Sequence, residues 1–440
     1  MKPATNMVEL VRNLAPARLL TQADKEFYVP IYSDVLRKLR YQLVVSQSKK
    51  ETYYTSGQSG TGKTTALNFL PNTELEDQFA VHFLYGNELF DLSDVDIIDV
   101  LLMICYELIK GKPKLETQFA ESLNRIRDKN EGILEETTVV DDGTTTSGGA
   151  SLNLGLGNSP ISSFFKLFKV GADFFTSLKL DKKYRQITRR AFAFQKQDLL
   201  ALTNQIIESY LLEVAPGKEL LLIFNELDHI KQPQLITELF ITNRYLFEEL
   251  RCKKVISVPV MLLAEERFTR PIDFFGLKLR ANPLIDELTP ENKERIDNNK
   301  EFLRQIIQKR IAEDQELITP EAIDFAIDKS GGIIRQFISI VHNAAVKVGL
   351  TGANRISLND VEEGASTFRQ ILERSIISQE KIAILEQVRT ENRPNAQDEE
   401  AFIEALLGNQ ILIYQNNPNW YNVNPLIEET VKIYAAKSNR

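Results

Sequence analysis

One octapeptide has residue types and spacing suited to phosphate chemistry: Gly57-Gln58-Ser59-Gly60-Thr61-Gly62-Lys63-Thr64. It satisfies the pattern G-x-x-x-x-G-K-[ST]. Gly57, Gly60 and Gly62 let the backbone turn tightly, so that successive N–H groups point inward at a β-phosphate. The start of the next helix adds partial positive charge. Lys63 is expected to neutralise the β- and γ-phosphates, and the Thr64 hydroxyl to ligate Mg²⁺. Together with Thr65, the run from Gly57 to Thr64 is the expected site for ATP.

A second motif is Leu220-Leu221-Leu222-Ile223-Phe224-Asn225-Glu226-Leu227-Asp228. An apolar strand ending in acids can supply one carboxylate for the Mg²⁺ shell and a following one that polarises the attacking water. Here the metal-side position is Asn225, an amide that reaches the ion only through water and brings no charge. Glu226 stands at the base position. An ATPase built this way should turn over slowly. The alternative is that Glu226 and Asp228 cap the next helix.

These motifs need elements to hold them. Thr52 to Thr55 is a short β-rich run leading into the glycine loop, and Thr64 to Leu70 reads as the helix that follows. Phe79 to Tyr85 and Leu220 to Phe224 are apolar strands of the kind buried in a parallel sheet covered on both faces. Val255 to Leu263 is a further strand, which Pro259 should bulge or confine to an edge. Val95 to Ile109 and Lys196 to Leu212 read as helices, the first apolar on most faces. Alternating helices and apolar strands predict an α/β fold, a P-loop NTPase parallel sheet covered by helices. Residues 1–45 form an N-terminal helical segment broken near Asp24 to Pro30, and 46–289 the ATPase core. An insertion at about 132–181 carries Phe164, Phe165, Phe168, Phe174 and Phe175, a partner surface or a set of core rings. Residues 290–374 read as an all-helical lid. The last stretch, 377–440, runs helix, helix and two short strands around Asn416-Asn417-Pro418-Asn419, the outline of a winged helix.

Composition sets the outer limits. The 440 residues are 43% hydrophobic and 26% charged, which suits a soluble chain of two or three domains. No stretch approaches the ~20 apolar residues of a membrane helix. Met1 to Leu20 lacks the apolar segment of a signal peptide, so a cytoplasmic, membrane-free protein is expected. Two cysteines, Cys105 and Cys252, and three histidines do not support a disulfide framework or a zinc site. A net charge of −8 argues against a chain that simply coats nucleic acid.

With Lys63 and Glu226 joined by later motifs, the chain resembles prokaryotic AAA+ ATPases of the origin-recognition and STAND type. The likeness runs through ANPLIDELTPEN (281–292), FLRQIIQKRI (302–311) and the turn Ser330-Gly331-Gly332-Ile333-Ile334-Arg335, which is similar to a sensor-two motif. The resemblance gives Arg335 contact with the γ-phosphate. The chain departs from that family in three ways. Asn225 replaces an Asp, and Lys63 and Asn225 lie 162 positions apart, the excess being the insertion. No sensor-one residue stands at the end of the Val255 to Leu263 strand. Arg267 and Arg270 are the candidates for a finger reaching a neighbour's site.

The resemblance implies two functions. The first is a slow nucleotide-dependent switch that controls a partner protein or self-assembly, as in STAND regulators, which often serve bacterial defence. The alternative is a DNA-binding or DNA-loading ATPase like origin-recognition initiators or transposition regulators. From 377 to 440 six basic residues face nine acids, net −3, which disfavours DNA binding by that module.

Overall fold

The computed structural model describes residues 1–16, 18–128, 171–285, 289–374, 376, 378–394, 400–415 and 419–438. Its contacts divide the chain into two compact units. The first combines Met1–Val44, Tyr53–Asn72 and Ser257–Arg440, and the second Val45–Thr52 and Thr73–Ile256.

Strands form at the expected β1 (Thr52–Ser56), β2 (Phe79–Tyr85) and β3 (Glu219–Asn225), β4 (Lys253–Ser257) covers only the start of its expected run, and β5 (Ile272–Phe274) was not expected from the sequence. Within the second unit the strand order is β2-β3-β4, and within the first β1 lies beside β5. In the second unit β2 and β3 pair in parallel from Phe79↔Glu219 to Tyr85↔Asn225, and β3 pairs in parallel with β4 from Leu221↔Lys253. In the first unit β1 pairs in parallel with β5 at Tyr54↔Ile272. Parallel pairing explains the unbroken apolar run of β3, because helices must cover both faces.

The second unit is built around Ile97–Ile109, a helix buried on nearly every side. It starts with a capping box in which Asp96 and Asp99 each satisfy a backbone N–H. Asp99 is buried, which pushes its carboxyl up to about 6 even though Arg189 pulls the other way. Arg189 and Arg185, on the helix Lys182–Phe192, pair with Asp94, Asp99 and Asp91. These ion pairs fasten that helix over the start of the core helix. Both thiols are free and buried, which raises Cys105 to about 12 and Cys252 to about 11.

Of the Phe-rich stretch, 129–170 lies outside the described residues, and Phe164, Phe165 and Phe168 with it. Its end, Gly171–Leu180, is a helix that buries Phe175 and Leu178. Phe175 stacks on Tyr106 with ring centroids 4.2 Å apart. That ring belongs to the core of its unit, which sets a limit on how much of the stretch can be a free surface.

In the first unit, Thr289-Pro290 and Thr319-Pro320 start the helices Pro290–Gln308 and Pro320–Ser330. Each Thr side chain accepts an N–H of the first turn, and each Pro occupies a position that needs no donor. Ile334–Thr351 and Leu358–Glu373 follow. The C-terminal region has Gln379–Glu391, Glu400–Leu407 and an antiparallel pair, β6 (Ile411–Gln415) with β7 (Asn419–Val423). A further helix, Glu428–Ser438, was not expected from the sequence.

One expectation about the sheet is corrected. Val255 to Leu263 is not one strand, because β4 ends at Ser257 and Val260–Leu263 is a short 3-10 helix. Pro259 therefore lies beyond the strand, and every residue of β4 is buried. A proline bulge or edge was inferred from a run that continues apolar after its strand has stopped.

Candidate nucleotide-binding site

The glycine loop joins β1 to the helix Lys63–Asn68. Gly60 and Gly62 both adopt φ 91, a left-handed conformation that side chains rarely tolerate. Close approach adds a second reason for glycine. A Cβ on Gly60 would lie 2.9 Å from the Cβ of Arg335, and one on Gly62 would lie 3.1 Å from the Cδ1 of Ile334. The turn Ile333-Ile334-Arg335 is thus packed directly on the loop.

Lys63 is 4% exposed, and its ammonium donates to the carbonyls of Gly57 at 2.7 Å and Gln58 at 2.8 Å. It holds the loop curled around its own charge. The Thr61 hydroxyl donates to the Gln58 carbonyl at 2.9 Å, and the Tyr32 hydroxyl donates to the Thr61 carbonyl at 2.7 Å. Burial raises the Tyr32 phenol above its ordinary pKa. Behind the loop, Arg40 donates to the carbonyls of Phe69 and Leu70 and so fixes the end of the loop's helix.

Four further hydrogen bonds join the loop to the lid and the C-terminal region. The backbone N–H of Arg335 donates to the Gly60 carbonyl at 2.8 Å, and the Asn409 amide donates to the Ser59 carbonyl at 2.8 Å. Gln58 is 3% exposed; its amide donates to the Ile411 carbonyl at 2.6 Å and accepts the Ile413 N–H at 3.2 Å. Ile333 joins Leu412, Tyr414 and Trp420 in one buried cluster, and the Tyr414 hydroxyl donates to the Gly331 carbonyl at 2.9 Å. Loop, lid turn and hairpin are therefore packed together within the first unit. Arg335 itself is exposed, and its guanidinium has no hydrogen bond or ion pair among the described residues. Thr64 and Thr65 are half-buried beside it in sequence.

A cavity of about 80 Å³ opens beside Gly62 and Thr65. Its walls come from the N-terminal segment (Leu20, Tyr28) and from the lid (Ile334, Ile338). The sequence reading missed it. Its lining residues are mostly ordinary core types drawn from distant stretches, with no local pattern to mark them.

In the second unit, Asn225 ends β3 fully buried, opposite Tyr85 in the register. Glu226 follows with φ 71, a strained value for a residue with a side chain. Its carboxylate accepts the Asn87 N–H at 3.3 Å, while Gly86 packs against its backbone, where a Cβ would come within 3.1 Å. Asp228 is buried in the short 3-10 helix Leu227–His229. Glu226 precedes that helix without a side-chain cap bond, so the capping alternative for Glu226 fails.

Arg267 is held by Glu265 in a two-pronged ion pair, with Nε 2.8 Å and Nη2 2.7 Å from the carboxylate oxygens. That pairing raises its pKa and occupies the fork that a finger would use. Arg270 is exposed. Among the described residues, no group of three or more His, Cys, Asp or Glu is arranged to hold a metal ion. The Thr64 hydroxyl is a neutral ligand, which suits an Mg²⁺ carried mainly by nucleotide phosphates. No helix among the described residues is long and apolar enough to cross a membrane.

A parallel sheet with a G-x-x-x-x-G-K-T loop between its first strand and the next helix defines a P-loop nucleotide-binding fold, here followed by a helical lid and a winged-helix-like region. No protein-family model matches the chain, and neither does any curated protein. Solved structures do. Cdc6p from Pyrobaculum aerophilum aligns over 98% of both chains with 13% identity and a TM-score of 0.41. The Aeropyrum pernix ORC2 protein in ADPNP–ADP complexes aligns over 98% of both, with 12% identity and a TM-score of 0.38. The Aeropyrum pernix ORC1 protein in complex with DNA covers 97% of this chain and 98% of its own, with 9% identity and a TM-score of 0.40. The structural neighbours are thus origin-recognition-type AAA+ proteins, the group named in the alternative of the two functional readings.

Proposed function

We propose that the chain is an ATP-binding ATPase of the origin-recognition type, in which the nucleotide controls how the lid and the C-terminal region sit on the phosphate loop. The observation that carries this reading is the set of bonds from Arg335, Asn409, Ile411 and Ile413 to Gly60, Ser59 and Gln58. A loop gripped by the elements that would report its occupancy couples binding to their position. The organisation is an N-terminal segment (1–45), an ATPase core (46–289), a lid (290–374) and a winged-helix-like end (377–440).

In this reading the loop amides and Lys63 bind the phosphates, and the apolar cavity beside Gly62 receives the base. Thr64 would ligate the Mg²⁺ that arrives with ATP, and Asn225 would reach that ion only through water. The ion supplies charge stabilisation on the transferred phosphoryl group. Glu226 would position and deprotonate the attacking water, and Arg335, exposed on the lid turn, would meet the γ-phosphate. With an uncharged amide at 225, hydrolysis is slow.

In this reading the output is DNA engagement, which the Aeropyrum pernix ORC1 protein shows in its own complex with DNA. The second reading, a switch acting on a protein partner in the cytoplasm, is supported by the net −3 charge of residues 377–440. A mobility-shift titration on duplex DNA, with and without ATP, separates them. An ATP-dependent shift supports the initiator-like output. A chain that binds ATP tightly but leaves DNA unshifted at low salt belongs to the switch.

A further inference from the structure

The cavity beside the phosphate loop has a buried cation on its wall, Arg310 of the stretch FLRQIIQKRI (302–311), to which the sequence reading gave no role. Arg310 is 5% exposed, and its Nη1 donates to the Ile306 carbonyl at 2.7 Å, at the end of the helix Pro290–Gln308. Its backbone is tied down as well, since its carbonyl accepts the Ala4 N–H at 2.8 Å and the Asn13 amide at 3.3 Å. Yet its Nε is buried without an acceptor, and among the described residues no carboxylate pairs with the guanidinium. Asp24, whose charge acts on it, is bonded to Arg18 at 3.1 Å instead. Burial lowers the Arg310 pKa to about 10. A buried, unneutralised cation is an expensive way to cap a helix, and an apolar side chain of similar length would cost less. The Tyr28 hydroxyl is a second buried polar group without a partner on the same cavity, its ring stacked on Phe69 at 3.9 Å.

We infer that Arg310 is a specificity-determining residue for the base: its Nε–H donates to a ring nitrogen of a purine seated in this cavity, with the Tyr28 hydroxyl as the second polar contact. The inference rests on the nucleotide reading above. A base fits better than a phosphate because the walls, among them Leu20, Phe27, Ile306 and Ile338, are apolar and desolvating. The phosphates already have the loop and Lys63. Arginine offers only donors, so the atom facing it must be an acceptor. That excludes the exocyclic amine of adenine from this position and leaves a ring nitrogen.

The test uses the full chain and calorimetric titration with ATP, with its 1-, 3- and 7-deaza analogues, and with inorganic tripolyphosphate. The parent should bind one deaza analogue roughly ten- to hundred-fold more weakly than ATP, the range for a charge-assisted hydrogen bond. Arg310→Met should weaken ATP by a similar factor and lose the discrimination, while tripolyphosphate binds both proteins equally. Thermal melting without nucleotide should show Arg310→Met at least as stable as the parent, because an uncompensated charge has been removed. Arg310→Lys keeps the charge and the helix-end contact but lacks the Nε–H, and it should also lose the discrimination. If Arg310→Met melts lower while preserving the parent's preference among the analogues, the residue is a helix cap and the inference is overturned. A parent that binds tripolyphosphate but does not distinguish ATP from any deaza analogue overturns the inference and leaves the phosphate loop standing. A parent that binds neither overturns the nucleotide reading itself.

Discussion

The phosphate loop and the Asn225–Glu226 turn solve the same steric problem in opposite ways. Both leave the end of a strand with a left-handed residue. The loop uses glycine at φ 91 twice, at Gly60 and Gly62, so it accepts the conformation without a side-chain penalty. The turn places a glutamate at φ 71 and keeps it there with a hydrogen bond from Asn87. At Gly60 and Gly62 a phosphate would need only backbone N–H groups, so no side chain is required at those two positions. A base needs a carboxylate at a fixed point, so strain is retained where a side chain is indispensable.

Several substitutions would break or sharpen that contrast. The largest effect is expected from Lys63→Ala, which should weaken ATP by more than about a hundredfold while leaving far-UV circular dichroism unchanged. Equal affinity in calorimetry would show that the loop does not bind nucleotide. Next comes Glu226→Gln, which should lower phosphate release by about 10²- to 10⁴-fold with ATP still bound, the usual contribution of a general base. Turnover that survives this change would place the base elsewhere. Glu226→Gly tests the strain directly. It should abolish turnover yet raise the unfolding free energy by about 1 kcal/mol in denaturant titrations, since the left-handed penalty is relieved.

Asn225→Asp should raise steady-state turnover several-fold by adding charge to the Mg²⁺ shell. Because position 225 is fully buried, the same change should cost stability in the absence of nucleotide, about 1–3 kcal/mol. An Asp variant that is both slower and more stable would contradict the metal-side assignment. The smallest effect belongs to Gln58→Ala, which removes two hydrogen bonds between the loop and β6. It should destabilise the chain by about 1–2 kcal/mol and speed limited proteolysis near β6.

The loop was legible in the sequence because its chemistry is contiguous and its spacing is dictated by one phosphate. β2 and β3 were legible because burial on both faces leaves an unbroken apolar signature. The cavity beside the loop was not, since Leu20, Tyr28, Ile338 and Arg310 come from separate stretches. The helix Glu428–Ser438 escaped for a different reason. Its Ile433 and Tyr434 are 47% and 41% exposed, which blurs the apolar stripe that marks a buried helix face. The ion pair of Arg267 with Glu265 shows the limit of reading arginines by position alone.

Gln58 has a consequence for colloidal behaviour as well as for nucleotide coupling. β7 pairs with β6 along one edge, and the Gln58 amide meets the carbonyl of Ile411 and the N–H of Ile413 along the other. A side-chain amide offers one donor and one acceptor, the same pair a peptide group would present, so a single glutamine closes the open rim of the hairpin as a neighbouring strand would. Removing that seal leaves backbone groups able to recruit a strand from another molecule. Any movement of the phosphate loop away from β6 therefore unmasks a site for strand addition, and self-association of the chain should follow the state of its loop.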